Sequence, residues 1–271
     1  MRNGRAFIRA TIVNNINYHN HTYLCKHAKG KPIDYVKQAV LHNYSEIGIS
    51  DHGPLVPGWG LRMNEDQFYN LYLPQINESI TQYGEKIHIY KGLEIEYLEN
   101  YHHYYEKLIK DLDYLVLGQH VCYYQGKIHD IYRSMNDETL ESYKELTVKG
   151  MASGYFKILA HPDVFMYMHN KWNQKALEIS KDIIEAAIKY QVYLELNVNG
   201  IRRGQILNEN NEITYIYPRL EFWNLVSQYP HALTIIGEDN HDPAFTNDGA
   251  CTLARDLATR LGLNPETKLL G

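Results

Sequence analysis

Several absences bound this chain before any motif is read. It has only three cysteines in 271 residues, Cys25, Cys122 and Cys251. They are too few and too far apart for a disulfide framework or a cysteine-type zinc site. Such usage fits a reducing compartment, so a cytoplasmic setting is expected. No apolar run approaches the roughly 18 residues of a membrane-spanning helix, and no membrane partner is expected. Lys and Arg nowhere form a cluster of five, and the formal net charge is -5. Nucleic acid is therefore not expected as the main partner. There is no Ser/Gly/Pro-rich linker and no low-complexity tract. A G-x-S-x-G motif or comparable nucleophile signature is also missing, which argues against a covalent enzyme intermediate. The first 15 residues carry Arg2, Arg5 and Arg9 without an acid. They are short for a targeting segment and read as a leader outside the fold. Residues 16–271 are expected to form one domain.

What the chain does have is a rhythm of short apolar runs. Ile16–Tyr18, Glu46–Ser50, Ile87–Leu93, Tyr114–Gly118, Lys157–Ala160, Val192–Leu196 and Leu233–Gly237 read as buried parallel strands. Helical patterns alternate with them: Ile33–Asn43, Asn64–Gln82, Tyr101–Lys110, Asp137–Gly150, Gln174–Tyr190, Pro218–Gln228 and Asp248–Leu261. Pro32 suits the first turn of its helix, and Pro74 should kink or split the second. Seven strand–helix units favour a distorted (β/α)7 barrel over a doubly wound sheet. Enzymes of that build place their sites at the C-terminal ends of the strands. The Gly/Pro-rich stretch Gly53–Gly60 and the long segment Val198–Tyr217 are candidate substrate-covering loops.

Six of the seven strand ends carry metal-ligand side chains. They are His19 and His21, Asp51 and His52, Glu94, His120, His161, and Asp239 with His241. One such histidine could be a strand cap bonded to backbone. Six strand ends with one shared address point instead to a gathered metal site. His19-Asn-His21 puts both imidazoles on one face, because strand periodicity is two. Asp239-Asn-His241 repeats that spacing. Glu94 and Asp239 supply the negative charge that clustered cations need. The remaining histidines, apart from His27 in the first loop, share no address and read as surface or core residues.

These residues resemble the PHP (polymerase and histidinol phosphatase) superfamily. The resemblance runs through Tyr18-His-Asn-His-Thr22, His27, Gly48-Ile-Ser-Asp-His52, Gly92-Leu-Glu94, Gly118-Gln-His120, Ala160-His-Pro162 and Gly237-Glu-Asp-Asn-His241. Within it the chain is similar to the monofunctional histidinol-phosphate phosphatases, on His19–Ala28, Ser50–Pro54 and Gly92–Tyr97. The resemblance implies three divalent ions, drawn from Zn, Fe and Mn or mixed. One would take His19, His21, Glu94 and Asp239. A second would take Glu94, His120 and His161, and a third His27, His52 and His241.

Clustered ions suit phosphoester hydrolysis, with a metal-bridging hydroxide held by Glu94, His19, His21 and Asp239 as the expected nucleophile. A phosphomonoester dianion also needs positive protein charge. Arg202 follows an Asn-x-x-Gly turn where the resembling phosphatases have an arginine, and a guanidinium can contact phosphate bidentately. Arg203 and Arg62 are further candidates. Glu96 could meet the substrate's amino group or imidazole, or could orient a ligand histidine. The expected reaction is hydrolysis of a small phosphomonoester, L-histidinol phosphate. Two alternatives are a PHP phosphodiesterase or exonuclease, and a structural metal-binding PHP module.

Overall fold

The structure, a computed structural model, describes residues 15–55, 61–169 and 171–269. Two parallel sheets form its centre. The first contains β1 (Ile16–Asn17), β2 (Glu46–Ile49) and β3 (His88–Lys91) in that order. The second runs β12 (Thr234–Gly237), β9 (Tyr193–Asn197), β8 (Ile158–Leu159), β5 (Val116–Leu117) and β4 (Glu94–Ile95). The expected third strand, Ile87–Leu93, thus ends early as β3, and after Gly92 and Leu93 the chain pairs again as β4. At the break the second sheet takes over from the first. Parallel bridges His52↔Glu94 and Asn20↔Asn240 join the two sheets at their margins. At the second seam, His21 N donates to Asn240 O at 2.8 Å and Asn240 N to His19 O at 3.2 Å. The barrel is distorted because single bridges replace full ladders at both seams.

Helices cover the strands. They are α1 (Pro32–Leu41), α2 (Glu65–Gln67), α3 (Leu73–Tyr83), α4 (His102–Leu108), α5 (Asp137–Ala152), α6 (Met166–His169), α7 (Gln174–Tyr190), α8 (Val198–Arg202), α9 (Leu220–Val226) and α10 (Gly249–Leu261). Pro74 does split its helix. A π turn over Phe68–Tyr72 separates α2 from α3, and Leu73 N reaches back to Phe68 O. The wider turn absorbs the donor that proline lacks. Asn136, Asn173 and Asp248 cap α5, α7 and α10 through their side-chain oxygens.

Two hairpins were not expected from the sequence. β6 (Val121–Tyr124) pairs with β7 (Lys127–Asp130), and β10 (Gln205–Leu207) with β11 (Ile213–Tyr215). The first turns through Gln125 (φ 49) and Gly126 (φ 74). This is the left-handed pair that a two-residue hairpin requires. Of the two candidate covering loops, 56–60 of the first lie outside the described residues. The second holds α8 and the β10–β11 hairpin.

The barrel interior explains how the strands end in functional groups. Ile16, Tyr18, Tyr114, Val116, Ile158, Ala160 and Ile235 form its apolar floor. Period-two spacing then carries each inward face upward: Val116, Gly118, His120 on one strand and Ile235, Gly237, Asp239 on another. The glycines make room. A Cβ on Gly118 would lie 2.2 Å from Glu94 Oε1, and one on Gly237 would lie 1.8 Å from Glu195 Oε1. Lower down, Tyr114 occupies the space over Gly48 and donates to Tyr18 O at 2.5 Å.

Gly48→Ala should therefore destabilise the fold, because its Cβ would sit 2.0 Å from the Tyr114 hydroxyl. Overpacking of this kind costs about 1–3 kcal/mol. In a Tyr114→Phe background the added loss should shrink. Equal losses in both backgrounds, read from denaturant midpoints, would mean that the hydroxyl is not what excludes the side chain.

Candidate metal centre

Glu94 lies at the middle of the site and is buried. Its two oxygens face different histidines. Oε2 is 3.5 Å from His19 Nε2 and His21 Nε2, and 2.9 Å from His52 Nδ1. Oε1 is 3.1 Å from His161 Nε2 and 3.5 Å from His120 Nε2. Asp239 Oδ1 approaches the first group from the other side, 3.0 Å from His21 Nε2 and 3.6 Å from His19 Nε2. That oxygen is buried. Asp239 (φ 47) and His161 (φ 33) are held in the left-handed region, where a side chain is costly.

The histidines stand in three facing pairs. His19 and His21 oppose each other Nε2 to Nε2 at 3.0 Å, His120 and His161 at 3.3 Å, and His27 and His241 at 3.1 Å. In four of the six rings Nδ1 has a fixed acceptor. His19 Nδ1–H donates to Glu195 at 2.7 Å and His120 Nδ1–H to Glu96 at 2.9 Å. His27 donates to Cys25 O at 2.8 Å and His241 to Asp239 O at 3.1 Å. A carboxylate or carbonyl can only accept, so those rings carry a proton on Nδ1 and, when neutral, turn a bare Nε2 inward. Two bare nitrogens about 3 Å apart repel unless a proton or a cation lies between them. The donor set of imidazoles with two shared carboxylates suits divalent first-row metals. His21, His52 and His241 offer ligand atoms within 4.8 Å of one another, as do His19, His21 and Asp239, and His52, Glu94 and His120. The structure thus brings together all nine residues expected as ligands. His52 stands between the groups rather than wholly in the one with His27 and His241.

Titration follows this geometry. Burial pushes His21 down, but hydrogen bonds to Asp239 and Asp51 and the nearby Glu94 charge outweigh it and raise it to about 9. His241 is pushed down to about 3 by burial and by the charge on His21. Burial likewise lowers His27. Glu94 is held well below the usual carboxylate range, because the surrounding imidazoles override the cost of burial.

Supporting residues complete the shell. Glu96 was a candidate for the substrate, but its carboxylate accepts from His120 and forms a two-bonded ion pair with Arg62, one arm of it at 2.9 Å. Arg62 is buried and also lines the cavity above the site. Asp51 accepts from the backbone N and hydroxyl of Thr22 and lies 3.5 Å from His21 Nδ1. Asp163 accepts from Arg219 N, and burial pushes it up to about 7. The sequence reading missed Glu195. It holds His19 Nδ1, His161 N (3.2 Å) and the Asn197 amide (2.8 Å). Two polar residues, Glu195 and Asn197, at alternate positions of a buried strand were the available signal.

The site opens into a cavity of about 950 Å³. Arg203, Tyr132, Tyr167, Tyr217 and Asn199 line it on one side. Arg203 lies 5.8 Å from the Tyr217 ring and 6.0 Å from the Tyr167 ring. Arg202 points elsewhere, and its expected place at the substrate is corrected. Its guanidinium is taken up by Asp248 and by the carbonyls of Glu238 and Phe245. The two arginines are neighbours on one helical turn, so only one can face the cavity. His129, among the histidines read as surface or core residues, lines the cavity with Arg133, on and after β7.

The PHP domain model matches residues 17–199. The chain belongs to the PHP family. A "Probable histidinol-phosphatase" of Deinococcus radiodurans is 27% identical over 148 residues, 52% of this chain and 53% of that protein. The chain thus spans about half the length of that relative. A "Probable histidinol-phosphatase" of Schizosaccharomyces pombe is 22% identical over 266 residues, 84% of this chain and 81% of that one. Among solved structures, the histidinol phosphate phosphatase of Lactococcus lactis, complexed with zinc, L-histidinol and phosphate, has the same fold. Its TM-score is 0.69 at 16% identity, over 93% of this chain and 95% of that one.

As a PHP site, this one should take up divalent metal in competition with protons. Without metal, His21 stays protonated up to about pH 9, so binding must expel that proton. Apparent affinity should then rise with pH through the neutral range, by up to about tenfold per unit for each proton displaced. Chelator competition at several pH values measures this, and a flat profile would contradict it. Glu94→Gln should lower bound metal more than either His102→Gln or His231→Gln, because an amide cannot serve two cations as a carboxylate does. Metal analysis with equal losses in all three variants would show the histidines to be wrongly assigned.

Proposed function

We propose that this chain is a metal-dependent phosphomonoesterase that hydrolyses L-histidinol phosphate to L-histidinol and phosphate. The observation that carries the reading is the set of three facing imidazole pairs around Glu94 and Asp239, at the base of a cavity with Arg203 on its wall. The named relatives, and the zinc, L-histidinol and phosphate of the Lactococcus structure, support it. Three divalent ions fit three pairs. His19, His21, Glu94 and Asp239 would hold the first; Glu94, His120 and His161 the second; His27, His52 and His241 the third. Zn, Fe and Mn all suit these donors. Such ions supply Lewis-acid charge for phosphoryl oxygens and acidify water to nucleophile strength.

The chain's own residues divide the remaining work. Arg203 binds phosphoryl oxygens through its planar guanidinium. Tyr167 and Tyr217 flank it, and this packing fixes its direction. Glu195 holds His19, and Glu96 with Arg62 holds His120, so that each ring presents Nε2 to the metal. The wall formed by Ile128, His129 and Asp130 of β7 faces the alcohol portion of the substrate. Residues 16–271 act as one domain. The three cysteines are buried and free, in keeping with a reducing, cytoplasmic setting. Among the described residues no helix is long and apolar enough to cross a membrane. A phosphodiesterase acting on nucleic acid fits poorly with a net charge of -5. A structural module would not need a complete ligand set beneath an open cavity.

Phosphate release from L-histidinol phosphate should greatly exceed cleavage of bis-p-nitrophenyl phosphate by the metal-loaded protein. The reverse preference would favour the diesterase, and no turnover of either would favour the structural module. Arg203→Ala should lower kcat/KM by roughly 10- to 200-fold, the loss of a charge-assisted contact of about 1.5–3 kcal/mol. Inhibition by inorganic phosphate should weaken in parallel. Unchanged phosphate inhibition in that variant would remove Arg203 from the phosphate site.

A further inference from the structure

Arg202 does not reach the cavity, yet few side chains in the molecule are so fully engaged. Nε donates to Asp248 Oδ2 at 3.0 Å and Nη2 to Asp248 Oδ1 at 3.3 Å. Nη1 donates to Glu238 O at 2.7 Å, and Nη2 also to Phe245 O at 3.1 Å. The guanidinium lies over the Phe245 ring, 5.2 Å from its centroid. One planar group at the end of α8 thus ties down three points of the loop between β12 and α10. That loop carries two of the candidate metal ligands, Asp239 and His241.

The Glu238 carbonyl is the decisive contact. It belongs to the peptide unit that joins Glu238 to Asp239. Its direction is coupled to the φ of Asp239, which is held at +47. A non-glycine residue leaves that region when nothing holds it there. Rotation of the peptide would swing the Asp239 carboxylate away from His19 and His21. It would also turn the Asp239 carbonyl, which accepts the Nδ1–H of His241 and so aims the Nε2 of that ring. Beside the contacts of Glu238 N with Asn17 and of Asn240 N with His19 O, this hydrogen bond thereby bears on one ligand from each of two groups. Asp248 keeps the arginine in place and itself caps α10, accepting from Cys251 N at 3.1 Å.

We infer that Arg202 is a positioning residue, which holds the Glu238–Asp239 peptide so that Asp239 and His241 can bind metal. This inference rests on the metal reading of the site but not on the identity of the substrate. Chelator competition without substrate tests it, on the full chain loaded with Zn²⁺. Arg202→Ala should weaken the most loosely held zinc by about 10- to 100-fold, the usual effect of losing a group that orients a ligand. Excess zinc should restore its turnover of a phosphomonoester and leave inhibition by inorganic phosphate as in the wild type. Arg202→Lys should fail to rescue zinc affinity, since one ammonium cannot reach Asp248 and two carbonyls together. Arg203→Ala is the contrast: its zinc affinity should stay, while its phosphate inhibition falls. If Arg202→Ala does not fold, Asp248→Asn replaces it. That change keeps a helix-capping oxygen but removes the charge partner, and a smaller fall in zinc affinity is expected. Zinc affinity within about twofold of the wild type in the Arg202 or Asp248 variant overturns the inference. So does loss of phosphate inhibition at saturating zinc, which would make Arg202 a phosphate ligand. Failure of the wild type to bind zinc overturns the metal reading and this inference together.

Discussion

One buried carboxylate organises this protein. Glu94 sits where the first sheet hands over to the second, and its bridge with His52 forms one of the two seams. An ionised group so deeply buried is costly unless opposite charge and hydrogen bonds surround it. Here the compensation comes from histidines on β1, β2, β5 and β8, delivered to one point by the C-terminal ends of those strands. The seam and the site are therefore one feature. The strand must break for Glu94 to turn inward, and Gly118 must lack a side chain for its carboxylate to fit.

The imidazoles are arranged by their outward nitrogens. Glu195, Glu96 and two backbone carbonyls each hold one Nδ1 proton, and the inward Nε2 atoms are left to confront one another. Among protein side chains this confrontation has few stable resolutions. Protonation is one, and at His21 the carboxylates of Asp239, Asp51 and Glu94 favour it. A divalent ion is the other. Affinity for metal and affinity for protons are thus built from the same contacts, and the outer carboxylates strengthen both. The left-handed backbone at His161 and Asp239 belongs to this design. Strain there is tolerated because β-bridges, Arg202 and Arg219 fix the surrounding loops.

The neighbouring arginines show how a short helical turn divides labour. Arg202 faces the loop that carries Asp239 and His241, and Arg203 faces the cavity. In sequence they are adjacent and chemically identical. About 100° of helical rotation separates a group that braces the site from one that can meet a ligand. Tyr132, Tyr167 and Tyr217, from three separate segments, finish the cavity wall. They account for part of the unusual abundance of tyrosine, 24 residues in all.

Much was legible in the chain alone, for a local physical reason. Strand ends, period-two spacing and ligand chemistry are short-range properties, so seven apolar runs, six of them followed by His, Asp or Glu, already pointed to a parallel barrel with candidate metal ligands at one rim. The break between β3 and β4 was not legible, because it depends on which neighbour each half pairs with. Nor were the short hairpins, although Gln125-Gly126 left a turn signal. Glu195 looked like an ordinary strand residue until the barrel brought it beside His19 from 176 positions away. Glu96 was left open between substrate and support, and only the fold, by placing Arg62 and His120 against it, made it a support. Arg202 was misplaced for the same reason. Sequence fixes that a guanidinium follows the turn, whereas the direction it faces is decided by long-range partners: Asp248 and the carbonyls beside Asp239.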